Sequence, residues 1–329
     1  MEGVVAVIDA EGSLHLGPRI IPVPKSVSAE AQAFLAAPAL PNDLPPVGDK
    51  AAWREFVAAF DKGYEPMADR LLQTMPATVA TCDIAGATVH LGTPHQIRHP
   101  DWAHLTIHGG GWVFLGGKYA MAQAAIDAAN LGCTTFSLDY AMAPDHPFPA
   151  ALEEGVAVYR EIIKRYDPRK IVISGGSAGG NLTAAITLKI RDLGLPLPGA
   201  VGLMTPALDL TLEGDTIRAN LGIDKALPRS IDVFVGLYAD GHDLMDPYLS
   251  PLFGDFTKGF PPTFLQAGTR DLLLSDTVRM HRKLLQSGVH AELHVWEAMP
   301  HGGFGGASPE DGEIRTQFAK FVEQHLACP

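Results

Sequence analysis

From about residue 77 onward the chain alternates short apolar runs with longer stretches whose apolar positions recur every three or four residues. The runs at 103–107, 134–138, 171–174, 200–204, 263–267 and 292–296 read as strands. Helical periodicity occupies 119–131, 150–165, 178–193, 275–286 and 314–326. Ahead of them, 78–84 and 87–91 bracket a turn and read as a hairpin. Repeated strand–helix alternation predicts an α/β fold with a mainly parallel central sheet and helices on both faces. Ligands in such sheets bind at the carboxyl ends of the strands.

Two regions depart from this rhythm. The first 50 residues are irregular and proline-rich. Turn signals at Gly12-Ser13 and Gly17-Pro18 suggest a small hairpin, and Ser28 is placed to cap a short helix. Pro38, Pro41, Pro45 and Pro46 break the pattern after that helix, and 51–74 return to a helical periodicity. Residues 206–245 then separate two strands with helical pattern, clearest at 231–239. A crossover of that length suggests an insertion lying over the sheet, a helical cap above the strand ends.

Two glycine-rich turns carry the candidate chemistry. The segment Ile171-Val172-Ile173-Ser174-Gly175-Gly176-Ser177-Ala178-Gly179-Gly180-Asn181-Leu182 leaves a strand and enters a helix. A dinucleotide fingerprint requires glycine where Ser177 stands, and a P-loop requires a Gly-Lys-Ser/Thr ending that is absent. The segment does match Gly-x-Ser-x-Gly at Gly175, Ser177 and Gly179. In that spacing a serine sits in a strained strand-to-helix turn with its hydroxyl exposed, and the next N–H, from Ala178, is free to donate to an oxyanion. Upstream, His108-Gly109-Gly110-Gly111-Trp112 comes directly after another strand. Three glycines let backbone N–H groups point into a cavity, as acyl transfer requires where charge develops on a carbonyl oxygen.

A serine hydroxyl is a weak nucleophile without a base. Asp271 and His301 fall in turns after later strands, in the order serine, acid, histidine. Asp276 is the second choice as acid, because it is predicted to lie in the next helix. His281 is predicted inside that helix too. His290 and His294 resemble a metal pair only if read as helical. As strand residues they stand about 13 Å apart at ~3.3 Å per residue, too far for one ion. No metal site is expected.

Composition narrows the remaining classes. A net charge of −12, from 25 Lys+Arg against 37 Asp+Glu, argues against nucleic acid or a polybasic membrane surface as partner. Three cysteines, Cys82, Cys133 and Cys328, form no CxxC pair and point to a reducing compartment. Glu2 and Asp9 flank the short N-terminal apolar run, so it makes a poor secretory signal. No uncharged stretch approaches the ~18 apolar residues of a spanning helix. A soluble, cytoplasmic protein is expected.

Together these segments resemble the hormone-sensitive-lipase-like branch of the α/β-hydrolases, the bacterial family IV esterases. The resemblance runs from about Leu105 to Gly303. It is carried by His108–Trp112, Asp139-Tyr140-Ala141-Met142-Ala143-Pro144-Asp145, Gly175–Leu182, Asp246-Pro247-Tyr248-Leu249-Ser250-Pro251-Leu252, Asp271 and Met299-Pro300-His301. It implies a cap formed from 1–50 and 206–245 on a catalytic domain formed from 51–205 and 246–329. It also implies Ser177 as nucleophile, His301 as base, Asp271 as acid and Gly110, Gly111 and Ala178 as oxyanion donors. His108 and Gly109 would order the glycine loop. The implied substrates are small carboxylic esters with short to medium acyl chains, with no cofactor and a homodimer as a possible assembly. Trp112, Phe114 and Leu273 lie near the motifs and are candidate pocket residues, with core packing an equal reading. A lactonase or amidase on the same triad is the alternative; a non-catalytic receptor or an interfacial lipase fits less well. The chain departs from the family at Gly176, where relatives often carry Asp or Thr, at Tyr140-Ala141-Met142, where an arginine is lost, and at Arg270, where an acidic residue is common.

Overall fold

The computed structural model describes residues 6–38 and 44–327; Glu2, Pro41 and Cys328 lie outside them. A hairpin of β1 (Ala6–Ile8) and β2 (Leu14–Leu16) comes first, then α1 (Ala29–Ala36) and the long α2 (Lys50–Thr74). Ser28 caps α1, accepting from the Ala31 N–H at 3.1 Å. The sheet region then runs β3 (Ala77–Ile84), β4 (Ala87–Pro94), β5 (Ala103–Ile107), α3 (Lys118–Leu131), β6 (Thr134–Asp139), α4 (Ala150–Ile162), β7 (Ile171–Gly176), α5 (Ala178–Asp192) and β8 (Ala200–Met204). After the short α6 (Thr216–Ala219) and α7 (Asp232–Ala239) come β9 (Thr263–Gly268), α8 (Leu274–Gln286), β10 (Ala291–Trp296) and α9 (Pro309–Leu326).

Eight strands form one sheet in the order β10-β9-β8-β7-β5-β6-β4-β3. The pairings from β6 through β10 are parallel, and β3 and β4 add an antiparallel edge. Neighbouring side chains on a strand go to opposite faces. Thus Val172 packs with Phe318, Phe321 and Val322 of α9 on one side, while Ile171 and Ile173 join α4 and α5 on the other. Every residue of β5 and β9 is buried, the polar His104, Thr106, Thr263 and Gln266 included.

α9 starts at Pro309, ahead of the expected 314, because Ser308 and Asp311 form a capping box around its first turn. α2 carries Trp53, Phe56, Phe60 and Tyr64 along one face at helical spacing. Trp53 meets Phe234 of α7 edge-on at 6.1 Å, and Phe60 lies 4.4 Å from Phe114. α2 thus touches both the insertion, through Phe234, and the segment after the glycine loop, through Phe114. The roots of that insertion are held by one buried side chain, since Asn181 donates to Ala207 O and Leu249 O, each at 2.8 Å. No helix among the described residues is long and apolar enough to cross a membrane.

Candidate active site

The carboxyl ends of β5, β7, β9 and β10 lead into the loops that carry the candidate residues. Ser177 stands between β7 and α5 with φ 57° and ψ −121°, a backbone that L-residues rarely adopt. Its neighbours explain how the turn closes. A Cβ on Gly175 would lie 2.4 Å from Gly179 O, and one on Gly179 would lie 2.0 Å from Ile107 O. Only glycine fits at either place. Gly176 is different: a Cβ there would meet nothing closer than Met204 O at 3.7 Å, so space does not dictate its lack of a side chain.

Ser177 Oγ lies 2.8 Å from His301 Nε2, and His301 Nδ1 lies 3.1 Å from Asp271 Oδ1. The same Asp271 oxygen accepts the Leu273 N–H at 2.9 Å. Asp271 is fully buried and His301 is 8% exposed. Burial opposes protonation of His301, but the Asp271 charge and hydrogen bond, with the Asp224 charge, outweigh it and hold the imidazole pKa above its usual 6.5.

The glycine loop runs beside the serine. A Cβ on Gly109 would lie 3.1 Å from Gly176 O and 3.4 Å from Ser177 Cβ. Gly110 and Gly111 have φ of 103° and 58°, and a Cβ on Gly110 would strike Phe114 O at 1.9 Å. Their N–H groups donate to no acceptor among the described residues. Ala178 begins α5, where the first N–H groups have no partner within the helix. His108 is buried, stacks on Tyr140 at 4.2 Å, and places Nδ1 2.7 Å from Gly109 O.

A family profile described as alpha/beta hydrolase fold matches residues 104–304. The chain belongs to the α/β-hydrolase family. A protein named esterase from Acinetobacter venetianus is 34% identical over 222 residues, 66% of this chain and 73% of the relative. The crystal structure of an esterase E25 superposes with a TM-score of 0.89 at 36% identity, covering 95% of this chain and 99% of that one. An esterase from the bacterial hormone-sensitive lipase family superposes at 0.77 with 27% identity, covering 91% and 99%. Within the superfamily this hydrolase is a hormone-sensitive-lipase-like carboxylesterase.

Of the two readings open for Trp112 and Leu273 in this esterase, burial favours packing. Trp112 is 1% exposed, its indole stacked on Tyr238 at 4.7 Å, and Leu273 is equally buried in the core. Both side chains serve packing. Phe114 lies in the aromatic layer with Phe60 and Phe234, between the glycine loop and the helices above it.

Asp276 does not approach His301. Its Oδ2 accepts from the N–H groups of Leu208 and Asp209 at 2.7 and 3.0 Å, bracing the start of the insertion. Burial pushes its pKa up to about 7. The folded state therefore holds a proton on Asp276 that the unfolded chain releases near the ordinary carboxyl value of 3.8, and stability falls as pH rises between the two. Asp276→Asn keeps an acceptor for both N–H groups and removes the ionisation. Its Tm is expected to exceed the parent's by a few degrees at pH 8 and to match it at pH 4. A Tm loss at pH 8 would contradict this.

Two clusters of metal-ligand type occur among the described residues. One is Asp224, Asp271 and His301; the other is His290, Glu292 and His325, at the amino-terminal end of β10. Histidines 290 and 294 do not face one ion; each ring lies near a different oxygen of Glu292, at 3.4 and 3.3 Å. His281 lies in α8 as expected. Asp224 is the residue that sequence reasoning missed. It comes from the insertion, is buried, and accepts from Leu272 N at 2.7 Å and His301 N at 3.2 Å.

Proposed function

We propose that this carboxylesterase hydrolyses short- to medium-chain carboxylic esters through an acyl-enzyme on Ser177. His301 Nε2 takes the hydroxyl proton as Ser177 Oγ bonds to the carbonyl carbon. The carbonyl oxygen becomes negative and turns toward the N–H groups of Gly110, Gly111 and Ala178. As the ester C–O bond breaks, the departing alcohol receives that proton. Water then repeats the sequence on the acyl-enzyme, releasing the acid and freeing Ser177. Asp271 holds the imidazole with Nδ1 protonated and stabilises the imidazolium. His108 and Gly109 order the glycine loop. We assign the cap to the N-terminal segment through α2 together with 206–245.

The observation that carries this reading is the unbroken contact from Ser177 Oγ through His301 to buried Asp271, beside a glycine turn with unpaired N–H groups. Short acyl chains are favoured by the roof. The Phe234 ring of α7 comes within 3.1 Å of where a Cβ on Gly111 would stand.

p-Nitrophenyl esters from acetate to palmitate, with a lactone and an anilide, test it. The rate is expected to be highest on the shorter esters, to fall steeply at palmitate, and to exceed that on the lactone or anilide. Because the base must be neutral, kcat/KM should rise with pH through a midpoint above 6.5. A maximum at palmitate, or a rate already level at pH 5, would overturn the reading.

A further inference from the structure

Asp224 is a buried carboxylate, 1% exposed, with no cationic side chain hydrogen-bonded to it among the described residues. Removing a carboxylate from water is costly unless donors replace the water. Here the donors are main-chain N–H groups. Oδ1 accepts from Ala226 and Leu227 of its own loop, at 2.9 and 3.2 Å. The other two contacts leave the insertion. Oδ2 takes the Leu272 N–H at 2.7 Å, one residue past Asp271, and Oδ1 takes the His301 N–H at 3.2 Å. Ligand atoms of Asp224, Asp271 and His301 all lie within 4.8 Å of one another.

The same stretch is fixed from outside. Lys225 donates to Ala37 O at 2.7 Å and to Phe34 O, at the end of α1, and its ammonium sits 4.7 Å over the Phe34 ring. Nearby, Asn220 donates to Asp271 O at 2.8 Å. The insertion thus grips the acid loop from two positions and reaches the base loop from one of them.

We propose that Asp224 is a positioning residue of the esterase, which locks the Asp271 loop to the His301 loop and makes the competence of the base depend on the seating of the insertion. This rests on His301 being the base. The spacing of acid and base is then set through their main chains, by a group that touches neither substrate nor reacting atoms. A second negative charge also faces the imidazole. The charged groups acting on His301 are Asp271 from the loop after β9 and Asp224 from the insertion, while α5 presents only the Ser177 hydroxyl. Both carboxylates favour the imidazolium formed as Ser177 attacks.

Asp224→Asn tests it. An amide keeps one acceptor but turns its other atom into a donor. Facing Leu272 N–H or His301 N–H, that donor leaves one tie unmade. The variant is expected to lose kcat by about tenfold or more, with KM within about twofold, since sub-ångström misplacement of a catalytic group is enough for such a loss. Its acid limb of kcat/KM should also shift to lower pH, because one charge that stabilises the imidazolium is gone. Asp224→Glu keeps the charge and displaces the ties, so kcat should fall while the limb stays with the parent's. An unchanged limb and kcat in Asp224→Asn overturn the proposal. So does a loss of kcat that only tracks a loss of folded protein, with the limb unmoved. The triad reading fails separately: the parent would then show no acid limb, or Ser177→Ala would retain activity.

Discussion

Ser177→Ala is expected to reduce kcat on p-nitrophenyl butyrate by about 10⁴–10⁶-fold, leaving a folded protein. The fold should survive for local reasons. Ser177 Oγ makes its contact with His301 and caps no helix N–H, so its removal orphans no backbone group. Alanine bears the same strain at φ 57° as serine, because both carry a Cβ. Tm is therefore expected within about two degrees of the parent's. The residual rate would come from the N–H groups of the glycine loop acting on a carbonyl attacked directly by water. A variant retaining a tenth of the parent rate would remove Ser177 from the nucleophile's place.

Asp271→Asn is expected to cost about 10³–10⁴-fold in kcat. The geometry sharpens what is lost. One oxygen, Oδ1, faces both His301 Nδ1 and the Leu273 N–H, while Oδ2 has no partner. An asparagine can keep its oxygen at the shared position and place its amide where Oδ2 was. The hydrogen bonds then persist and the charge does not, so the loss measures how much the buried negative charge stabilises the imidazolium. Asp276→Asn is the matched control, a buried carboxyl on the same turn-and-helix segment. It is expected to leave kcat within about twofold; the opposite ranking of the two variants would exchange their roles.

The fold was legible where burial is symmetrical. The runs at 103–107 and 200–204 coincide with β5 and β8, where sheet neighbours and helices on both faces bury nearly every residue, His104 and Thr106 among them. It was less legible where polar chemistry sets the boundary: α9 opens on Pro309-Glu310-Asp311-Gly312-Glu313, and only Ser308 with Asp311 marks the start. The contacts of α2 were not legible either, because its aromatic face packs toward Phe234 and Phe114, far along the chain.

Within the site, Ser177, Asp271 and His301 were legible because the glycines that shape the turn are obligatory and the order along the strands limits the partners. Asp224 was not. Besides the N–H groups of its own loop, its ties are to main-chain N–H groups 48 and 77 residues away, which leave no residue-type signature at any spacing. For Trp112 and Leu273 the sequence left two readings open, because adjacency to a motif does not aim a side chain at the cleft; both are buried in the core.

The insertion's reach into the loops of Asp271 and His301 bears on how this enzyme can be recombined. Replacing 206–245 with the corresponding stretch of a relative is an obvious route to a new acyl preference, because the sheet and its Ser177 turn would stay untouched. Yet that graft would also exchange Asn220 and Asp224. Chimaeras that preserve a carboxylate in reach of Leu272 and His301 should turn over new substrates at parental rates, and those that lack one should bind them and react slowly. The portable unit is then the loop together with its grip, and selection among such chimaeras would act on both at once.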